Sequence, residues 1–259
     1  MSLIILDFMD LVMALGLMAI ALALAQWQHL GLGWQLIMAT LRTVAQLIGV
    51  GYFLNIIFAQ NNPVVVVGIL FGMVTIAAVA ARKRIDPKLR GILPILWGAI
   101  LVSTLGVLLY VNLLIIQPAD WYAPQYVIPL AGIILGNAMN GASLAGERLV
   151  STLKQQRLEV ETHLSLGATP EQAISSYRRQ AVRTALIPTL NQMLMVGIVT
   201  LPGMITGQML SGVDPLNAAS YQILIMFMVA LANLLTSLLV TYGLSQRFFN
   251  SQGQLLLPS

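Results

Sequence analysis

Long apolar stretches, separated by short polar segments, follow one another along almost the whole chain. A helix needs about 20 mostly apolar residues to cross a hydrocarbon core roughly 30 Å thick. Seven stretches satisfy this length, so the pattern predicts an all-α integral membrane protein in which residues 1–259 form a single transmembrane domain. The predicted spans are residues 8–26, 36–58, 64–82, 92–116, 126–146, 184–211 and 217–243.

The first span follows Asp7 and Asp10 rather than a basic segment, which favours a retained helix over a cleaved signal peptide. An odd number of spans puts the termini on opposite sides of the membrane. Turn-forming or charged residues separate the spans. The separating segments are Gly33, the Asn61-Asn62-Pro63 turn, the basic patch Arg82–Arg90, Gln117–Asp120, residues 147–183 and Ser211–Pro215.

The composition excludes several other classes of protein. Hydrophobic residues make up 58% of the chain and charged residues only 8%, whereas about a quarter of a soluble domain is charged. We therefore exclude a disordered chain and a soluble enzyme. The sequence has no cysteine and two histidines, His29 and His163, which leaves no basis for a thiolate or histidine-built zinc site.

The basic residues determine the predicted orientation, because they concentrate in cytoplasmic loops. The seven-span topology puts all but one of the 13 Lys and Arg residues on one side. We therefore predict an amino terminus outside and a carboxy terminus in the cytoplasm, in the plasma membrane (inner membrane) of a bacterium. This orientation explains the basic charge, so the lipid bilayer is an expected partner and nucleic acid is not. The residues on that side are Arg82, Lys83, Arg84, Lys88, Arg90, Arg148, Lys154, Arg157, Arg178, Arg179, Arg183 and Arg247.

The long polar segment 147–183 has the spacing of an amphipathic helix that extends the fifth span into the cytoplasm. Gly167 is a candidate helix stop, and Thr169 can cap a second helix, roughly 170–182, with Pro170 at its first position. The pattern predicts a cytoplasmic helix-turn-helix. It is either an ordinary hairpin loop or a docking element for a cytoplasmic partner.

Several motifs in order along the chain resemble one family. Glu161 and Gly167 keep the spacing of the EAA loop of ABC-transporter permeases, although Thr162 and His163 replace its two alanines. Together, the motifs resemble the FetB (YbbM-type) family of iron-export ABC permeases, which includes plant half-transporters tied to aluminium tolerance. The other motifs are Arg42 with Gln46, Ile128–Gly132, Gly136–Met139, Leu166–Pro170, Ala185–Thr189, Leu201–Met204, Asp214-Pro215 and Tyr221–Ile223.

This resemblance covers residues 36 to 230 and implies a permease that forms the translocation pathway and pairs with a separate ATP-binding subunit. The implied assembly has two permeases and two ATPases, with ATP and magnesium on the partner and no cofactor bound by this chain. The implied substrate is iron or a related metal, exported from the cell. The residues implied to couple to the ATPase are Glu161, His163, Leu166, Gly167, Ala168, Thr169 and Pro170.

Polar residues inside the spans are candidates for the translocation pathway or its gate. Arg42 and Gln46 lie four residues apart in span two, and the alternative for Arg42 is that it extends to the cytoplasmic edge. Asn137 and Asn140 present amides on one side of span five, where the alternative is helix packing beside Gly132 and Gly136. In span six the candidates are Asn191, Pro202 and Gly203, the last two as a gate or as a passive kink.

The chain shows no ATP-binding loop or metal cluster of its own. Residues 141–148 contain two glycines, but Glu147 stands where a phosphate-binding loop needs lysine. Met193, Met195, Met204 and Met209 are interpreted as helix packing rather than soft-metal ligands, and the metal-binding residues stay unknown. The rival functions are an ATP-independent carrier or channel, an ABC permease for a non-metal solute such as a nucleotide sugar, and a membrane-embedded enzyme.

Overall fold

The computed structural model describes residues 7–60, 62–87, 89, 91–118, 120–250 and 253–256. The predicted turn residue Asn61, the basic residues Lys88 and Arg90, and Ala119 lie outside the described residues. The chain divides into two compact units, the first of which contains α1, α2 and residues 210–212. The helices are α1 (Phe8–Trp27), α2 (Gly33–Gln60), α3 (Pro63–Ile85), α4 (Leu93–Tyr110), α5 (Pro124–Gln155), α6 (Arg157–Ser165), α7 (Pro170–Met195), α8 (Gly203–Leu210) and α9 (Pro215–Arg247).

Prolines and side-chain caps begin several of these helices. Asn62 accepts a hydrogen bond from the N–H of Val64 at 2.9 Å, directly before Pro63. Asp214 accepts from the N–H of Leu216 at 3.1 Å, directly before the proline that opens α9. Proline suits the first helical position because it needs no backbone donor there. These caps explain why the helices begin where the polar breaks in the sequence fall.

Within the described residues, six helices are long and apolar enough to cross a membrane: α1, α2, α3, α4 with its π-helical continuation Val111–Ile116, α5 and α9. They correspond to six of the seven predicted spans. Their outer faces carry exposed large apolar side chains, for example Leu17 and Ile76, as expected of helices surrounded by lipid.

Predicted span six, residues 184–211, is not a continuous helix in the structure. The second helix of the polar segment was expected to end near residue 182, but α7 continues from Pro170 to Met195, because residues 183–187 contain no glycine or proline that would end it there. Pro188 lies inside α7, where it removes one backbone hydrogen bond without ending the helix. The chain then leaves helical geometry over residues 196–202 and resumes as α8.

The second unit is built around α5 and α9, which pack on each other and both on α4 and α7, while α3 packs on α4 and α5. Its core contains fully buried side chains from each of these helices. Buried examples are Ala78 on α3, Ile100 on α4, Leu149 on α5, Ala181 on α7 and Val240 on α9.

Candidate functional site

The turn between α6 and α7 (residues 163–170, the α6–α7 turn) begins with a Schellman motif. Gly167 has φ +91°, a left-handed conformation that glycine adopts readily. Its N–H donates to the carbonyl of Leu164 at 3.0 Å, and the N–H of Ala168 donates to the carbonyl of His163 at 3.0 Å. These bonds satisfy carbonyls at the end of α6. His163 thus takes part through its backbone, and the helix stop predicted at Gly167 is confirmed.

The second half of the turn is a capping box. The hydroxyl of Thr169 accepts from the N–H of Gln172 at 3.3 Å, and the Gln172 side chain accepts from the N–H of Thr169 at 2.9 Å. Pro170 occupies the first helical position and Glu171 lies in the first turn, where a negative charge is favourable. The cap predicted at Thr169 is therefore confirmed, and the turn is held by hydrogen bonds on both sides.

Charged side chains on α6 make two contacts near this turn. Glu161 accepts a hydrogen bond from Arg157 at 2.7 Å, an exposed pair that contributes little to stability by itself. Tyr177 on α7 makes a side-chain hydrogen bond with Glu159, which links α6 to α7. Burial, this hydrogen bond and the charge of Glu159 raise the pKa of the Tyr177 phenol above its usual value, so the group stays neutral at physiological pH.

An apolar side chain stands at the tip of the turn. Leu166 is 80% exposed, beside the Schellman motif that fixes its backbone. The turn therefore presents one large apolar side chain on a backbone that hydrogen bonds hold in place.

The carboxy-terminal residues pack beside this turn, which the sequence did not predict. Phe248 and Leu255 are buried in the core of the second unit, and the N–H of Leu256 donates to the carbonyl of Phe248 at 2.7 Å. Residues 253–256 and the α6–α7 turn line a groove of about 670 Å³. The sequence signal that could have indicated this change of chain direction is Gly253, because glycine is frequent in turns. In the structure Gly253 has φ +74°.

The two predicted gate residues lie where the irregular segment 196–202 ends and α8 begins. Val196 and Thr200 form an isolated bridge, and Gly197 has φ +80°. Pro202 is the last irregular residue and Gly203 the first residue of α8. The helix thus breaks six residues earlier than the Pro202-Gly203 pair suggested, because Val196 already has extended backbone and Gly197 follows with a positive φ.

The remaining candidates for a pathway are dispersed. Arg42 and Gln46 are both exposed, one turn apart on α2 in the first unit. Asn191 is exposed on α7. Asn137 donates to the carbonyl of Ile133 on its own helix at 2.9 Å. Asn140 accepts from Arg84 on α3 at 2.7 Å, so the two amides that the sequence placed together have different partners.

A buried polar cluster on α9, which the sequence analysis missed, connects α9 to α7. Asn233 is only 3% exposed, and its amide donates to the hydroxyl of Thr189 at 2.6 Å and the carbonyl of Ala185 at 3.3 Å. Ser237 donates to the Asn233 carbonyl oxygen at 3.3 Å. A polar stripe within the apolar α9 was the available signal; it consists of Asn233, Thr236, Ser237, Thr241 and Ser245.

Close helix approach occurs at Gly141 and Gly146 rather than at the predicted pair. A Cβ on Gly141 would overlap the amide of Asn233, and one on Gly146 would lie 2.9 Å from Cγ1 of Ile85. Gly136 has open space instead. Residues 141–148 are helical and packed, so they form no phosphate-binding loop.

Metal ligands do not cluster in the described part of the chain: no group of three His, Asp or Glu side chains there is placed to hold an ion.

Comparisons with known proteins cover nearly the whole chain. The profile described as "Uncharacterised protein family (UPF0014)" matches residues 8–249. A UPF0014 membrane protein of Synechocystis sp. is 54% identical over 99% of both chains. The probable iron export permease protein FetB of Escherichia coli is 32% identical over 96% of this chain and 94% of its own. The Arabidopsis thaliana protein ALUMINUM SENSITIVE 3 is 34% identical over 93% and 87%.

No solved structure matches the chain. The six apolar helices and the relatives together identify a multi-pass membrane protein.

Proposed function

Because the chain belongs to the UPF0014 family, we propose that it is the membrane-spanning permease of an ABC transporter, driven by a separate ATP-binding subunit. The observation that carries this proposal is the α6–α7 turn, which hydrogen bonds fix on both sides and which exposes Leu166. The ATP-binding subunit docks there and contacts residues 161–170. ATP and magnesium bind to that subunit, and two copies of this chain form the pathway.

The membrane topology in this proposal has seven crossings, with the amino terminus outside. Residues 184–195 of α7 rise about 18 Å and α8 about 12 Å, so neither crosses a core of roughly 30 Å alone. Joined by residues 196–202, they form the sixth crossing as a broken helix. Irregular backbone within a membrane is tolerated where protein or water satisfies its polar groups, as in transporter pathways.

Iron or a related metal is the proposed substrate, moved outward. The support is the name of the Escherichia coli relative, which is a probable iron export permease, and that of the Arabidopsis thaliana relative, which refers to aluminium. Pathway residues in this proposal are Arg42, Gln46, Asn137, Asn140 and Asn191, with Pro202 and Gly203 at the gate. Cationic Arg42 and Arg84 favour a chelated metal over a bare cation.

Reconstitution tests this function directly. The chain is placed in vesicles with an ABC ATP-binding subunit of the same organism, and ATP and iron, free or citrate-bound, are added outside. Complexes with the α6–α7 turn on the outside of the vesicle can use the added ATP and move iron into the lumen. The vesicles should therefore accumulate iron only when ATP and both chains are present. Iron movement by this chain alone without nucleotide would contradict the ATP-driven mechanism. ATPase activity that no metal or chelate changes would contradict the metal substrate and leave the permease assignment intact.

Replacing Leu166 with aspartate should weaken association with the ATP-binding subunit by about tenfold or more, because a buried leucine contributes roughly 1.5–3 kcal/mol. Co-purification at increasing salt measures the effect. Leu216→Asp is the control, since Leu216 is similarly exposed but lies at the start of α9, at the opposite end of the molecule in the proposed topology. Equal binding by the Leu166 variant and the unmodified chain would exclude the turn as the docking element.

A further inference from the structure

A groove of about 410 Å³ runs between α7 and α9. It lies outside the α6–α7 turn and contains none of the candidate pathway residues. We name it the arginine groove. The lining residues used below are Arg178, Arg179, Arg183, Leu186, Leu190 and Leu238.

The lining changes from cationic to apolar along one stripe of α7. Arg179, Arg183, Leu186 and Leu190 are spaced at four, three and four residues, which places them on one helical face. At 1.5 Å per residue the stripe extends about 16 Å, with the arginines at the end toward the α6–α7 turn. Leu190 is 51% exposed, and Leu238 of α9 forms the opposite wall at 46% exposure. The groove is therefore amphiphilic along its length.

The guanidinium groups of this groove are not held in salt bridges with any described carboxylate. Across the described ranges, salt bridges form between Lys154 and Asp86 and between Arg157 and Glu161, and none includes Arg178, Arg179 or Arg183. Guanidinium groups bind phosphate oxygens in a bidentate manner and are more weakly hydrated than an ammonium group. The three arginines are thus available to an external phosphate.

We propose that the arginine groove binds an anionic phospholipid, whose phosphate contacts the arginines and whose acyl chain lies along Leu186, Leu190 and Leu238. Basic pockets between transmembrane helices on the cytoplasmic side recognise such headgroups. A soluble anion would leave the three leucines uncovered, whereas a phospholipid matches both ends of the stripe. The proposal goes beyond transport and uses only the orientation of α7 given above, with its first half on the cytoplasmic side.

The test measures lipid binding by the full chain in detergent, without an ATP-binding subunit, so that its outcome is independent of the transport proposal. The probes are dioleoyl phosphatidylglycerol and dioleoyl phosphatidylcholine, and bound lipid is counted by native mass spectrometry. Each arginine should contribute up to roughly fivefold, so phosphatidylglycerol should bind between about tenfold and a hundredfold more tightly than phosphatidylcholine. The triple variant Arg178→Gln, Arg179→Gln, Arg183→Gln should reduce this preference to within about twofold.

The matched control removes three basic residues on the same side but outside the groove: Arg82→Gln, Lys83→Gln and Arg148→Gln. This control variant should still prefer phosphatidylglycerol over phosphatidylcholine. If it loses that preference as much as the groove variant does, the lipid responds to charge in general and the proposal is overturned. Leu190→Asn should weaken phosphatidylglycerol binding. Glycerol 3-phosphate should not displace the lipid at millimolar concentration; displacement would identify a soluble phosphate as occupant and also overturn it. Thermal unfolding checks the fold, and Arg183→Gln alone should give a partial loss if the triple variant is unstable.

Discussion

Replacing Gly141 with alanine is expected to destabilise the helix bundle by roughly 2–4 kcal/mol, the largest effect of a methyl group added at any of the glycines. The new Cβ would overlap the carbonyl oxygen of Asn233 and lie 2.8 Å from its Cγ. Asn233 cannot rotate away without losing its bonds to Thr189, Ala185 and Ser237. Thermal unfolding of the detergent-solubilised protein measures the loss.

The control for this substitution lies on the same helix. Gly136→Ala adds the same methyl where no atom lies within 4 Å, so it should be neutral or slightly stabilising. Asn233→Ala should destabilise alone yet make Gly141→Ala less harmful, because it removes the atoms that the new Cβ meets. Additive losses in the double variant would show that the two residues do not touch.

The second large effect is expected from Gly167→Val. A β-branched residue at φ +91° is strained by at least about 1–2 kcal/mol, although no atom lies within 4 Å of the new Cβ. The strain should open the Schellman motif and reduce ATP-driven transport about tenfold or more, while the unfolding temperature changes little because the turn is exposed. Transport assays and hydrogen exchange at the amides of Gly167 and Ala168 measure the two consequences.

Two substitutions separate backbone strain from the added side chain. Gly68→Val adds the same side chain on α3, where the glycine is helical and has open space, and should preserve transport. Gly167→Asn should retain more activity than valine, because asparagine tolerates positive φ. If Gly167→Val transports normally, the geometry of the turn does not matter for coupling.

Local signals in the sequence predicted the elements well. Apolar length located six membrane helices, and the Gly167 stop and Thr169 cap were correct because both act within a few residues of the chain. The motifs also indicated the right family, since the relatives include the FetB permease and a plant aluminium-sensitivity protein.

Features that depend on a neighbouring helix were not predicted. Gly132 and Gly136 have the spacing of a packing face, but the close contacts occur at Gly141 and Gly146, because Asn233 and Ile85 happen to face those positions. The partners of Asn233 are 44 and 48 residues away in sequence. Helix periodicity gives the face of a residue but not which helix opposes it, so these contacts required the three-dimensional arrangement.

The continuity of α7 has a mechanical consequence. Its 26 residues form a rod about 39 Å long, and Thr189, held by Asn233, lies about three quarters of the way from Pro170 to Met195. Pro188, the adjacent residue, lacks the backbone N–H that would bond one turn back, so the helix is easiest to bend beside that contact. A swing of the Pro170 end would reach Met195 with its amplitude reduced roughly threefold and its force increased accordingly. The helix is thus built as a lever whose short arm acts on the irregular segment 196–202.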